Sequence, residues 1–170
     1  MKEYVFPKQI VDIKSVDDGK GLLQKQELQI GLAERCVTRF NKGDYVILDF
    51  EKEHCGNIRI LTYKANNVDI RVRFGESLTE CCSDLGGEQN ATNDHAIRDF
   101  SSVLTSYSDM MLGNTGFRFV RVDFGGWVEI KSILAVNYIL KKHTIYKYCG
   151  QDKEIQKIFD VAKRTVDLCA

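Results

Sequence analysis

Nowhere in this chain do apolar residues run on for the roughly 20 positions that a bilayer-spanning helix requires. Its opening residues, Met1-Lys2-Glu3-Tyr4, lack the charged-then-apolar pattern of a secretory leader. As given, the chain is therefore expected in the cytoplasm; a leader removed earlier would place it outside the cell. Net charge is missing as well. Twenty-four basic residues balance 24 acidic ones, so no overall field favours nucleic acid or an anionic membrane surface. Cysteines stand at 36, 55, 81, 82, 149 and 169 without a single CxxC pair, so the ligand spacing of a zinc site is absent. Cys81 and Cys82 are adjacent, which in a strand would point them to opposite faces. All six read as reduced thiols used as small apolar side chains. There is no Gly-rich phosphate loop, nucleophile elbow or HExxH. No cofactor or metal is expected.

What remains is an ordinary globular composition, 44% hydrophobic and 28% charged over 170 residues, enough for one domain with a real core. Alternation of apolar and polar residues dominates it. Gln9–Ile13, Glu27–Ile30, Asp44–Phe50, Asn57–Tyr63, Val68–Phe74, Phe117–Phe124 and Trp127–Val136 all read as strands. Lys64–Asn67 reads as a hairpin-like connection, and Phe117–Phe124 as a strand with its arginines on one face. Strands this close together leave no room for the crossover helices of a parallel sheet. The expected fold is all-β, an antiparallel β-sandwich or jelly roll with one C-terminal α-helix. The stretch from Thr79 to Leu112, with Gly86-Gly87 and a polar run to His95, reads as one long loop. After Gly150 the period changes to 3.6. Asp152 is the natural N-cap, and Ile155, Ile158, Phe159, Ala162, Val166 and Cys169 share one helical face. The chain thus divides into a sandwich, 1–150, and a terminal helix, 151–170, whose apolar face should dock on the sandwich or on another copy of the chain.

Candidate chemistry is sparse. Asp94, His95 and Asp99 can be drawn as an acid–base cluster, but a loop network satisfying backbone groups accounts for them better. His54-Cys55 suggests a nucleophile and base, yet neighbouring strand side chains diverge. Asp49, Glu51 and Glu53 share one strand parity, and a carboxylate pair is what glycoside hydrolysis needs; three acids near a strand end more often form a solvated rim. No catalytic residue is assigned. Trp127, following the Gly125-Gly126 turn, is the aromatic best placed to stack on a sugar ring, while Phe117 and Phe119 read as core.

Three segments in order, Val72–Leu78, Asn90–Asp99 and Asn114–Arg121, resemble bacterial α-L-rhamnosidase-like proteins. That family carries an arginine–aromatic–(Gly or Ala)–Glu strand end, an Asn-rich loop closing on Arg-Asp or Thr-Asp, and a Gly-Phe-Arg-(Phe or Tyr)-Val strand. Tyr148 through Phe159 looks like the family's approach to its first barrel helix. The resemblance implies a β-sandwich accessory to an (α/α)6-barrel that cleaves terminal α-L-rhamnose with inversion, and that barrel is not in this chain. It implies structural roles for Glu76, Phe117 and Arg118. Asn93, Arg98 and Asp99 would fix the long loop and, with Trp127, be the candidates for touching carbohydrate. The partner is then the catalytic barrel, or a second copy through the helix. The alternatives are a freestanding carbohydrate-binding module and a small sandwich enzyme using its own carboxylates.

Overall fold

The computed structural model describes residues 2–84, 98–138 and 147–168. Asn93, His95, His143 and Cys169 lie outside them. Eight strands appear among the described residues, and every pairing is antiparallel. They are β1 (Lys2–Val5), β2 (Gln9–Lys14), β3 (Thr38–Phe40), β4 (Asp44–Ala65), β5 (Val68–Gly75), β6 (Asp99–Leu104), β7 (Asp109–Phe124) and β8 (Val128–Tyr138). A short helix α1 (Leu78–Cys82) follows β5, and α2 (Lys153–Leu168) is the one long helix among the described residues. The all-β sandwich with a C-terminal helix is what the patterning predicts.

Two strands build both layers. The first half of β4 pairs β2 on one side and the second half of β7 on the other, and β5 and β6 continue that layer. The second half of β4 pairs the first half of β7 and β8, whose far edge carries β1 and β3. Asp44–Phe50 and Asn57–Tyr63 are therefore one strand with a corner in it. Lys64–Asn67 is not a hairpin, because β7 lies between β4 and β5. The aromatics pack between the layers: Phe40 stacks on Phe124 with centroids 4.1 Å apart, and Phe74 meets Phe117 edge-on at 5.0 Å. Gly113, at φ +104°, sits where a Cβ would lie 2.8 Å from the Phe74 ring, so the strand closes on that ring only without a side chain.

Two sequence expectations change. Glu27–Ile30 alternates in burial as a strand would, but its backbone joins no ladder. It crosses the outside of β8, and the carbonyl of Gln29 accepts from Lys131 Nζ, which also pairs with Glu34 at 2.7 Å. This cover buries β8 from Val128 to Asn137 on both faces. The expected loop 79–112 contains α1, β6 and the start of β7, so Cys81 and Cys82 lie on a helix rather than a strand. Cys81 is buried there, which pushes its thiol up to about 12. The arginines of β7 do share the outer face, because the alternation slips at Arg118–Phe119: Arg118 reaches Asp49 and Arg121 lies over Tyr45, two residues of the same parity on β4.

The helix α2 starts where the cap predicts: Asp152 Oδ1 accepts from the backbone N–H of Glu154 and Ile155, at 2.8 and 3.3 Å. Of the two surfaces expected to take its apolar face, the sandwich does not. The side toward the sandwich carries Asp160, Val161, Arg164, Thr165 and Leu168, while Ile155, Ile158 and Val166 are 47, 68 and 64% exposed. Among the described residues of the apolar face only Phe159 is partly covered, by Tyr148.

Two outcomes test this arrangement. Phe117→Ala, at a fully buried ring, is expected to cost about 3–5 kcal/mol, read as a lower urea midpoint at unchanged slope. A chain ending at Gly150 is expected to keep its β-sheet circular dichroism and one cooperative transition, since no α2 side chain is buried. Loss of that transition would make α2 part of the core.

Candidate functional site

The chemistry gathers at the corner of β4. Asp49 pairs with Phe119 and His54 with Phe117, so residues 50–53 of β4 oppose the single Arg118 of β7. The surplus backbone bulges outward, helped by Glu51 in the left-handed region at φ +70°, and the alternation of side chains breaks there. Asp49, Glu51 and Glu53 consequently have three different surroundings. Asp49 accepts two 2.8 Å hydrogen bonds from Arg118, which hold its carboxyl below the usual range. Glu51 is exposed. Glu53 turns under α2.

There it meets Glu76, which leaves the end of β5. Gly116 forms the floor between them: a Cβ on it would lie 3.2 Å from Glu53 Oε1 and 3.8 Å from Glu76 Oε1. The two carboxylates thus converge to within about 7 Å over bare strand backbone. Burial, and then the charge of Glu76, push the Glu53 carboxyl up to about 7. His54 is only 5% exposed, between Phe50 and Phe117, and burial followed by the positive Arg164 lowers its pKa, so the ring is neutral. Arg164 of α2 roofs the site and donates to the Glu53 carbonyl. The cleft, open to solvent, measures about 700 Å³. An acid poised near neutrality beside a second carboxylate can exchange protons and accept hydrogen bonds from a ligand. Among the described residues, no group of three or more His, Cys, Asp or Glu side chains is placed to hold a metal ion.

Glu76 is therefore a cleft residue, and Gly75 before it explains the strand end: a Cβ there would lie 2.4 Å from the Cys81 backbone nitrogen of α1. Phe117 is core. Arg118 serves Asp49 and stacks on Phe119. The carbohydrate candidates lie elsewhere. Arg98 is buried and paired with Glu80, while Asp99 accepts from Arg71 at 2.5–3.1 Å, so both of them brace β5, β6 and α1. Trp127 stands 47% exposed at the opposite end of the sandwich. Asp99 pairs with Arg73, whereas the turn before Trp127 rests on Val68, five residues or about 17 Å back along β5. The fold does not bring Trp127 together with Arg98 and Asp99.

Glu53 and His54 escaped assignment in the sequence because parity misplaces them. Gly56 and Gly116 held the available signal: two glycines in otherwise continuous strands, marking a bulge and a close approach.

No protein-family model matches the chain, and neither does any curated protein. Among solved structures it is similar to a rhamnosidase from Klebsiella oxytoca with rhamnose bound, at TM-score 0.73 and 16% identity over 99% of this chain and 35% of that one. A GH78 family rhamnosidase of Bacillus sp. GL1 superposes at TM-score 0.59 and 11% identity, over 88% of this chain and 15% of that one. A CBM32 domain of AlyQ in complex with 4,5-unsaturated mannuronic acid gives 0.45 and 11%, over 74% and 94%. At these identities the first two likenesses establish the fold. The chain spans about a third of the length of the first.

The cleft makes stability depend on pH in a defined direction. Glu53 has a folded pKa above its unfolded value of 4.5, so the folded state binds the extra proton and stability falls as pH rises from about 4.5 through 7. His54, lowered by burial, acts oppositely below its ordinary 6.5, so wild type alone does not isolate either group. Glu53→Gln does. It is expected to leave the melting temperature unchanged at pH 5 and raise it by about 2–4 °C at pH 8, the size of a ~1 kcal/mol effect in a chain of this length. Equal shifts at both pH values would show that Glu53 is not held protonated.

Proposed function

We propose that this chain is a non-catalytic sandwich of a rhamnosidase-like glycoside hydrolase, packing through α2 against a helical catalytic domain carried on the same polypeptide or another. The observation that carries it is the direction α2 faces. Burying an Ile or Val side chain gains on the order of 1.5–3 kcal/mol, yet this helix turns the side bearing Asp160 and Arg164 to the sandwich and leaves Ile155, Ile158 and Val166 to water. An apolar stripe that its own domain leaves bare fits a second apolar surface. Helix on helix, through i, i+3 and i+4 ridges, is the packing such a stripe allows. The sandwich, 1–150, is then the accessory unit, and 151–170 begins the interface. Likeness of fold to about a third of the Klebsiella oxytoca rhamnosidase supports a place beside a further domain. Cleavage with inversion takes an acid and a base with room for water between them, and the partner supplies that pair.

The alternative is a freestanding carbohydrate-binding module, favoured by one observation: Trp127, exposed on a tight turn at the sandwich end, offers a face for sugar stacking.

The test is co-purification. The coding sequence around the chain is read for a helical-barrel domain, and the chain is co-expressed with it. Wild type is expected to hold the barrel and Ile158→Asp/Val166→Asp to release it, at an unchanged melting temperature; the chain alone should turn over no aryl α-L-rhamnoside. Absence of any such domain, together with glycan binding that Trp127→Ala abolishes, would replace this reading with the binding module.

A further inference from the structure

The helix α2 covers the corner of β4 without packing tightly on it. None of its side chains is buried, and the cleft beneath it is open to solvent. Among the described residues its one hydrogen bond to the sandwich runs from Arg164 to the main-chain carbonyl of Glu53. The chain entering it, residues 147–150, joins no ladder. Under this cover the half-buried Glu53 carboxyl faces that of Glu76 across the Gly116 backbone, within about 7 Å. The neighbouring cations are engaged elsewhere, Arg118 with Asp49 and Arg164 with that carbonyl. Two negative charges this close, with little water around them, repel; one proton held by the pair removes the repulsion.

We propose that α2 is a hinged cover over the Glu53–Glu76 pair, seated while the pair holds a proton and released when both carboxyls ionise. Seated, the helix brings Asp160, Arg164, Thr165 and Leu168 over Glu53 and takes water from its carboxyl; released, it returns that water. The groups facing Glu53 are Lys52, His54 and Cys55 on β4, Glu76 after β5, Arg118 on β7, and Asp160 and Arg164 on α2. The two arginines favour the ionised acid, but burial and then the charge of Glu76 outweigh them and push the Glu53 carboxyl up to about 7. A carboxyl that binds its proton more tightly under the helix than in water favours the seated state at low pH. That contribution is lost as pH rises from about 4.5 through 7. The buried His54, lowered below its ordinary 6.5, acts in the opposite direction and lower in pH. Since α2 also carries the apolar stripe, the same proton sets how firmly that stripe is held out to a partner; this consequence rests on the proposed function, whereas the hinge does not.

Hydrogen–deuterium exchange on the full chain at pH 6 and pH 8, corrected for the intrinsic pH dependence of exchange, reads α2 and the sandwich separately. A helix of this length off its support is marginal in water, so release shows as lost protection. Protection of residues 153–168 is expected to fall about tenfold from pH 6 to pH 8, while β8 keeps its own. Glu53→Gln should hold α2 at its pH 6 protection at both values. Glu76→Gln, at an exposed position, removes the repulsion and should restore part of the protection at pH 8. Equal protection of wild-type α2 at the two pH values, an unchanged fall in either variant, or a fall shared equally by β8 would overturn the proposal. A failed co-purification with this pH response intact sinks only the proposed function.

Discussion

The pairing of β4 with β7 is the constraint on which everything else in this molecule hangs. Each strand belongs to both layers, so the two run side by side through a corner, and the corner opens only because β4 carries extra residues there. An uninterrupted ladder would give a flat sheet with half its apolar side chains in water. The bulge at residues 50–53 and the glycines at 56 and 113 turn the pair, and the Phe40–Phe124 and Phe74–Phe117 contacts close behind it. The same bulge that folds the sheet points Glu53 and His54 at α2. Fold and site share one local irregularity.

Two kinds of polar group meet water-poor surroundings in different ways. On the outside of the first layer, Arg71 is paired with Asp84 and Asp99, and Arg73 and Arg121 both reach Asp123, so charge there ties strands together. Under α2 the carboxylates of Glu53 and Glu76 face each other across Gly116. The first pattern is what a structural network looks like; the second is a place where burial cost persists, and the raised Glu53 pKa expresses it.

Most of the fold was legible from period alone. β5, β7 and β8 follow alternation, and α2 follows the switch at Gly150 and the Asp152 cap. Phe74-Gly75-Glu76 carried more information than its length suggests, since Gly75 is needed beneath α1 and Glu76 lands in the cleft. Alternation failed where burial and pairing part company. Leu28 and Ile30 lie toward the sheet without a strand partner, because side chains rather than a ladder hold that segment. It failed again at the corner, where a parity count assigns Glu53 to a rim. Which side of α2 faces the sandwich was not legible either. The sequence marks the apolar stripe, but a stripe does not say which surface it meets.

The first strand sits on the last. Lys2 pairs with Tyr138 and Val5 with Ala135, an antiparallel rung-by-rung match at the edge of β8. The two strand ends met first on pulling the chain apart, Lys2 and Tyr138, are opposite each other. Tension between the amino terminus and α2 would therefore load this seam as a zipper rather than in shear, breaking its rungs singly instead of together. A module bearing that seam is mechanically soft at its own junction. It can yield there under load while the layers behind β8 stay closed.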